Sequence, residues 1–166
     1  MNYTKSLLWG AILALVIPGL PARGQGAELT AGKPAPDFTF TSAAGKSTRL
    51  SAYRGKPVVL HFWTTWCGPC IRELPLISAL TTAKAEELTV LAVNCAETDR
   101  EVSAFLGRSQ LALNVVMDRD YRIAQLYRVN AIPQTYLIDK AGMIQTVRVG
   151  AYSRVELNQD IAALLN

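Results

Sequence analysis

Cys67 and Cys70 are the residues of this chain best placed to do chemistry. They stand two residues apart in Trp66-Cys67-Gly68-Pro69-Cys70. The motif follows an apolar run, Pro57-Val58-Val59-Leu60-His61-Phe62-Trp63, which reads as a buried strand. The stretch after it reads as a helix, so Cys67 falls at a helix N-terminus. There the unpaired backbone N–H groups and the positive end of the helix dipole favour a thiolate. A thiolate attacks disulfides. Cys70, one turn further in, can then resolve the mixed disulfide. The pattern points to passage of two electrons by dithiol exchange, which calls for no cofactor. Trp66, partly exposed beside Cys67, would offer a partner a flat apolar surface, with Gly68 and Pro69 in the same contact loop.

The same thiols could form half of a zinc site, which would need two more ligands. Only Cys95 and His61 remain, and both fall inside predicted strands. Three cysteines leave one over, so a structural disulfide framework is not expected. Cys95 closes the second strand and reads as a small buried hydrophobe or as a thiol open to mixed disulfides. Glu97 follows that strand on the side where active-site loops gather. His61, the only histidine, reads either as a proton acceptor for Cys70, since histidine titrates near neutral pH, or as a core histidine.

The elements that must hold these residues alternate. A Pro/Gly-rich lead-in, Ala31 to Pro36, precedes a hairpin formed by Asp37–Thr41 and Lys46–Leu50 around Ala43-Ala44-Gly45. One turn over Ser51–Gly55 leads into the strand near Pro57–Thr64. A helix from Gly68 to about Glu86 shows Ile71, Leu74, Ile77 and Leu80 at helical spacing, with Pro75 expected to kink it. Next come a strand over Leu88–Asn94, a helix over Asp99–Gly107, a short strand over Val115–Met117 and a helix over Asp120–Tyr127. Strands over Gln134–Ile138 and Met143–Val149 follow. Ser153–Leu165 closes the chain as a helix, with Ser153 and Glu156 forming a capping box. This order predicts an α/β fold with a central mixed sheet flanked by helices.

The first 26 residues read as a signal peptide. Lys5 is followed by an unbroken apolar stretch, Leu7 to Ile17, and by cleavage options after Gly24 or Gly26. An uncleaved membrane anchor is the alternative. Residues 27–166 then form one domain. Removing Lys5 and Arg23 lowers the formal charge from +4 to about +2. No basic run with interleaved aromatics argues for nucleic acid.

Trp66-Cys67-Gly68-Pro69-Cys70 resembles thioredoxin, and Ala131-Ile132-Pro133-Gln134-Thr135-Tyr136-Leu137-Ile138-Asp139 resembles the segment carrying the cis-proline of that fold. Lys33-Pro34-Ala35-Pro36-Asp37-Phe38, Phe62-Trp63-Thr64-Thr65-Trp66, Arg72-Glu73-Leu74-Pro75 and the insertion around Glu97 to Asp118 narrow the likeness. Together they are similar to the TlpA/ResA-like exported thiol-disulfide oxidoreductases, from about Ala31 to Leu165.

The resemblance implies a thioredoxin-like fold with an inserted βα element. Cys67 would be the nucleophile and Cys70 the resolving thiol. Pro133, in cis, would face the disulfide, and the backbone at Ile132 would pair with a bound client. Glu73 matches an active-site glutamate of the ResA type, which would tune the thiols or relay protons; otherwise it is an exposed helix charge. His61 departs from the family, which often carries Asn there, and from thioredoxin, which carries an acid. The implied activity is reduction of client-protein disulfides by an exported monomer. Cytochrome c maturation or metal-site assembly is the implied setting, with a CcdA/DsbD-like membrane electron donor. A peroxiredoxin-like peroxidase and a general dithiol oxidant for protein folding are the rivals. Thr64 lies three before Cys67 as peroxiredoxins require, but Leu60 stands where they need proline.

Overall fold

The computed structural model describes residues 29–42 and 45–166. The leader expected over 1–26 and the hairpin tip at Ala43-Ala44 lie outside them. No described helix is long and apolar enough to cross a membrane.

A five-stranded sheet organises the chain. It contains β3 (Val58–Trp63), β4 (Thr89–Cys95), β5 (Val115–Asp118), β6 (Gln134–Ile138) and β7 (Ile144–Val149), in the order β5-β4-β3-β6-β7. β1 (Thr39–Thr41) and β2 (Ser47–Arg49) form a separate antiparallel hairpin. β3 pairs parallel with β4 and antiparallel with β6, so the sheet is mixed as expected. Every residue of β3 is buried, which explains its near-continuous apolar run, broken only by His61. The expected insertion is α2 (Asp99–Ser109) followed by β5 at the sheet edge.

Alternation along β3 divides the interior. Val58, Leu60 and Phe62 join a cluster with Phe38, Phe40, Leu91, Tyr127 and Tyr136 under the hairpin. Val59 packs with Ile77, Leu137, Leu157 and Ile161, beneath α1 (Gly68–Ala83) and α4 (Arg154–Leu165). Trp63 packs with Cys67, Cys70, Leu74 and Ala92. His61, between Val59 and Trp63, therefore faces α1. The lead-in is fastened to the β6–β7 turn, where the Ala35 N–H donates to Gly142 O at 2.9 Å.

Several boundaries differ from the sequence reading. α1 ends at Ala83, not near Glu86, and stays helical through Pro75. Its buried face carries Cys70, Glu73, Leu74 and Ile77, whereas Ile71 is exposed. Glu73 is thus no exposed helix charge. α3 (Arg122–Leu126) begins two residues after the expected Asp120. Tyr121 turns left-handed there, and the Asp118 carboxylate at the end of β5 accepts the Ile123 and Ala124 N–H groups at 3.0 and 2.8 Å. That cap lies upstream of the helix, where a local pattern does not look for it. The Ser153–Glu156 capping box forms as expected, and Thr98–Glu101 forms a second one at α2.

Candidate active site

The loop Thr64-Thr65-Trp66 carries the chain from β3 to the N-terminus of α1. Cys67 is the N-cap, and its Sγ accepts the Cys70 N–H at 3.2 Å. This uses one of the donors that an α-helix leaves unpaired at its start. Pro69 sits in the first turn, where its missing N–H costs nothing. Cys67 and Cys70 are joined in a disulfide with Cα atoms 5.2 Å apart. Cys70 is fully buried, and Cys67 is 6% exposed.

Around the pair stands an apolar rim. Trp66 is 72% exposed and Ile71 39% exposed, and Gly68 and Pro69 are exposed between them. On the opposite side the Ile132–Pro133 peptide is cis. The Ile132 carbonyl oxygen lies 3.7 Å from Cys67 Sγ. β3 and β6 are neighbours, so a segment 65 residues away reaches the disulfide.

Two titratable groups lie in the layer between the sheet and α1. Glu73, 2% exposed, accepts the Tyr152 N–H on Oε1 at 3.1 Å, and its Oε2 has no partner among the described residues. Burial pushes its carboxyl up to about 7, against the pull of the Tyr152 N–H and the Arg148 charge. His61 has Nδ1 2.9 Å from Thr135 Oγ1, and its Nε2 has no partner among the described residues. Full burial lowers the imidazole to about 3. Of the two sequence readings of His61, this burial favours the core histidine, neutral at neutral pH, while the same burial brings Glu73 toward neutral pH.

Glu97 does more than its sequence position suggests. Its carboxylate accepts the Thr65 N–H at 2.8 Å, the Thr65 hydroxyl and the Asn94 side-chain amide at 2.6 Å. It ties the end of β4 to the loop that delivers Cys67. Ala96, left-handed at φ 57°, makes the bend that precedes it. Sequence reasoning missed this tie, and also Tyr152, because both contacts span the fold; a non-glycine turn at Ala96 leaves no signal in the chain.

Cys95 packs with Phe62 and Val93 on the other face of the sheet from Cys67 and Cys70. Burial, with Asp118 nearby, pushes its thiol up to about 12, so it remains protonated. It cannot complete a metal site with the pair.

A family model described as the AhpC/TSA family matches residues 31–147. Over 134 residues the chain is 37% identical to the thiol-disulfide oxidoreductase ResA of Geobacillus kaustophilus, covering 80% of this chain and 77% of that relative. It is 35% identical to the thioredoxin-like protein YneN of Bacillus subtilis, covering 78% of each. A solved structure described as a thiol:disulfide interchange protein DsbE from Chlorobium tepidum matches with a TM-score of 0.76 at 31% identity, covering 83% of this chain and 99% of that one. StoA from Bacillus subtilis matches at 0.66 and 25% identity, covering 76% and 96%. With a helix-capping cysteine pair on a sheet of this topology, the chain belongs to the AhpC/TSA family and is a thiol-disulfide oxidoreductase of the ResA and DsbE type.

Proposed function

We propose that the protein is an exported reductant of disulfides in client proteins. One observation carries the reading: Cys67 caps α1 with its sulfur facing the Ile132 carbonyl beside the cis-proline, under an exposed Trp66. In the reduced enzyme the Cys67 thiolate attacks one sulfur of a client disulfide. The Cys67–client bond forms, and the other client sulfur leaves as a thiolate. The Cys70 thiol passes its proton to Glu73 and attacks Cys67 Sγ. The Cys67–Cys70 bond closes, and the second client sulfur leaves with its electron pair. A carboxyl at about 7 suits both taking and returning that proton.

Trp66, Gly68 and Pro69 form the contact surface for the client, and the Ile132 and Pro133 backbone lies alongside its chain. His61 stays neutral and fixes Thr135 beneath α1.

The Gly-Pro dipeptide is the one thioredoxin uses, which favours the reducing direction. A reductant in an oxidising compartment has to be recharged, and a CcdA/DsbD-like membrane protein fits that need. Apocytochrome c and metal-site assembly proteins are the client classes the family suggests. The leader, whether removed or kept as an anchor, supplies export, and the domain acts as a monomer.

Trapping tests this. Reduced Cys70→Ser should accumulate a mixed disulfide through Cys67 with a disulfide-bonded client, and Cys67→Ser should trap none. Mixed disulfides formed by Cys67→Ser through Cys70 would overturn the assignment. Peroxide consumption no faster than that of a simple thiol is expected, and faster turnover would favour the peroxidase reading.

A further inference from the structure

β7 ends in a turn that touches both halves of the site. Gly150 adopts φ +94°, which a side chain would strain, and its N–H donates to the Pro133 carbonyl at 2.8 Å. Two residues later the Tyr152 N–H donates to Glu73 Oε1 at 3.1 Å. Two backbone donors of one short turn thus hold the cis-proline segment and the buried carboxyl together.

Arg148 holds that turn. It pairs in register with Thr135, the partner of His61, and so lies in the row that faces α1 and α4. Its guanidinium carbon sits 5.0 Å from the Tyr152 ring centroid. It also donates to Glu156 Oε1 at 2.8 Å and to the Ala151 carbonyl at 3.4 Å. The Tyr152 hydroxyl donates to Asp160 Oδ2 at 2.8 Å, pinning the turn from the α4 side. The groups that act on Glu73 are Arg148 on β7 and the Tyr152 N–H in the turn; Glu156 and Asp160 on α4 in turn hold Arg148 and Tyr152, while His61 on β3 and Cys70 on α1 belong to the same layer. Of these, Arg148 is the cation, and it acts on Glu73 electrostatically.

We propose that Arg148, working through the Gly150–Tyr152 turn, is a positioning residue for dithiol exchange: it steadies the turn whose Tyr152 N–H holds the Glu73 carboxyl, and brings a cation to that same face of the sheet. The proposal rests on the reading of Glu73 as the acceptor of the Cys70 proton.

The test follows the Glu73 carboxyl by NMR across pH in the full chain, with carbon-13 in glutamate and Glu73→Gln to assign the signal. The pH profile of client reduction is recorded alongside. Arg148→Met should raise the Glu73 midpoint by about half a pH unit. The rate profile should move with it, and Arg148→Lys should keep both near wild type. Gly150→Ala, which strains the turn and leaves the charge in place, should also raise the midpoint by withdrawing the Tyr152 N–H. A Glu73 midpoint unmoved in both Arg148→Met and Gly150→Ala overturns the proposal. A midpoint that moves while the rate profile stays still overturns Glu73 as the proton acceptor, and with it the part of Arg148 in exchange, but leaves their electrostatic contact standing.

Discussion

One strand serves two different interiors. On the hairpin side of the sheet, Phe62 meets Tyr127 and Tyr136 with ring centroids 5.7 and 6.0 Å apart. The hydroxyls there are used: Tyr127 donates to the Pro36 carbonyl at 2.7 Å and Tyr136 to the Tyr127 carbonyl at 2.5 Å. On the α1 side, His61 Nε2, Trp63 Nε1, Glu73 Oε2 and Asn94 Oδ1 are buried without a partner among the described residues. Buried polar atoms left unpaired cost free energy, and most of them gather on the α1 side where the cysteine pair sits, although Gln134 Oε1 is one such atom on the hairpin side. The cysteines divide the same way: Cys67 and Cys70 lie on the costly side, and Cys95 lies in the quiet one.

Substitutions at neighbouring positions sharpen the contrast. The largest effect falls on the pair itself. Cys67→Ala should abolish client reduction in an insulin-reduction assay, while Cys95→Ala should leave turnover unchanged. Phe62→Ala should cost about 3–5 kcal/mol in urea unfolding, by the cavity it leaves. Its pH–rate midpoint should stay that of wild type; a shifted midpoint would break the division between the two sides.

Glu73 should give the next effect. Its folded-state value, about 7, lies above the ordinary 4.5, so the protonated form favours folding. That contribution is complete below pH 4.5 and gone above pH 7. Glu73→Gln should therefore leave stability unchanged in acid, raise it by about 3 kcal/mol above pH 7 and remove the neutral limb of the rate profile.

His61 works in the opposite sense. Its value is depressed from 6.5 to about 3, so stability is whole above pH 6.5 and lost as pH falls toward 3. Thermal melts of His61→Asn should show a flatter acid limb. The smallest change in stability belongs to Trp66→Ala, within about 0.5 kcal/mol, because the ring is exposed. Its effect should appear in the client KM.

Much of this was legible in the chain because it is local. Strand β3, the cysteine spacing and the closing helix with its capping box follow from periodicity and caps read over a few residues, while the inserted βα element was reached through the family likeness. The cis-proline was reached through the family likeness. Glu73 could be matched to a family position, yet its burial could not be read: a charged residue on the inner face of α1, with Ile71 turned outward, runs against the amphipathic rule. His61 was placed on the correct strand, but its titration depends on complete desolvation, which no local pattern reports. Glu97 was marked only by its place after β4; its tie to Thr65, like the parts of Gly150 and Tyr152, rests on contacts made only when distant segments meet. Arg148 adds a case of the same kind, since its pairing with Thr135 is a matter of sheet register.

The reduction potential of the Cys67–Cys70 pair decides whether the protein gives electrons to clients or takes them. The oxidised and reduced forms would be equilibrated in dithiothreitol and glutathione buffers and counted by thiol alkylation. A value near that of thioredoxin, about −270 mV, is predicted. A value near that of the oxidant DsbA, about −120 mV, would contradict the account and reverse the direction of electron flow.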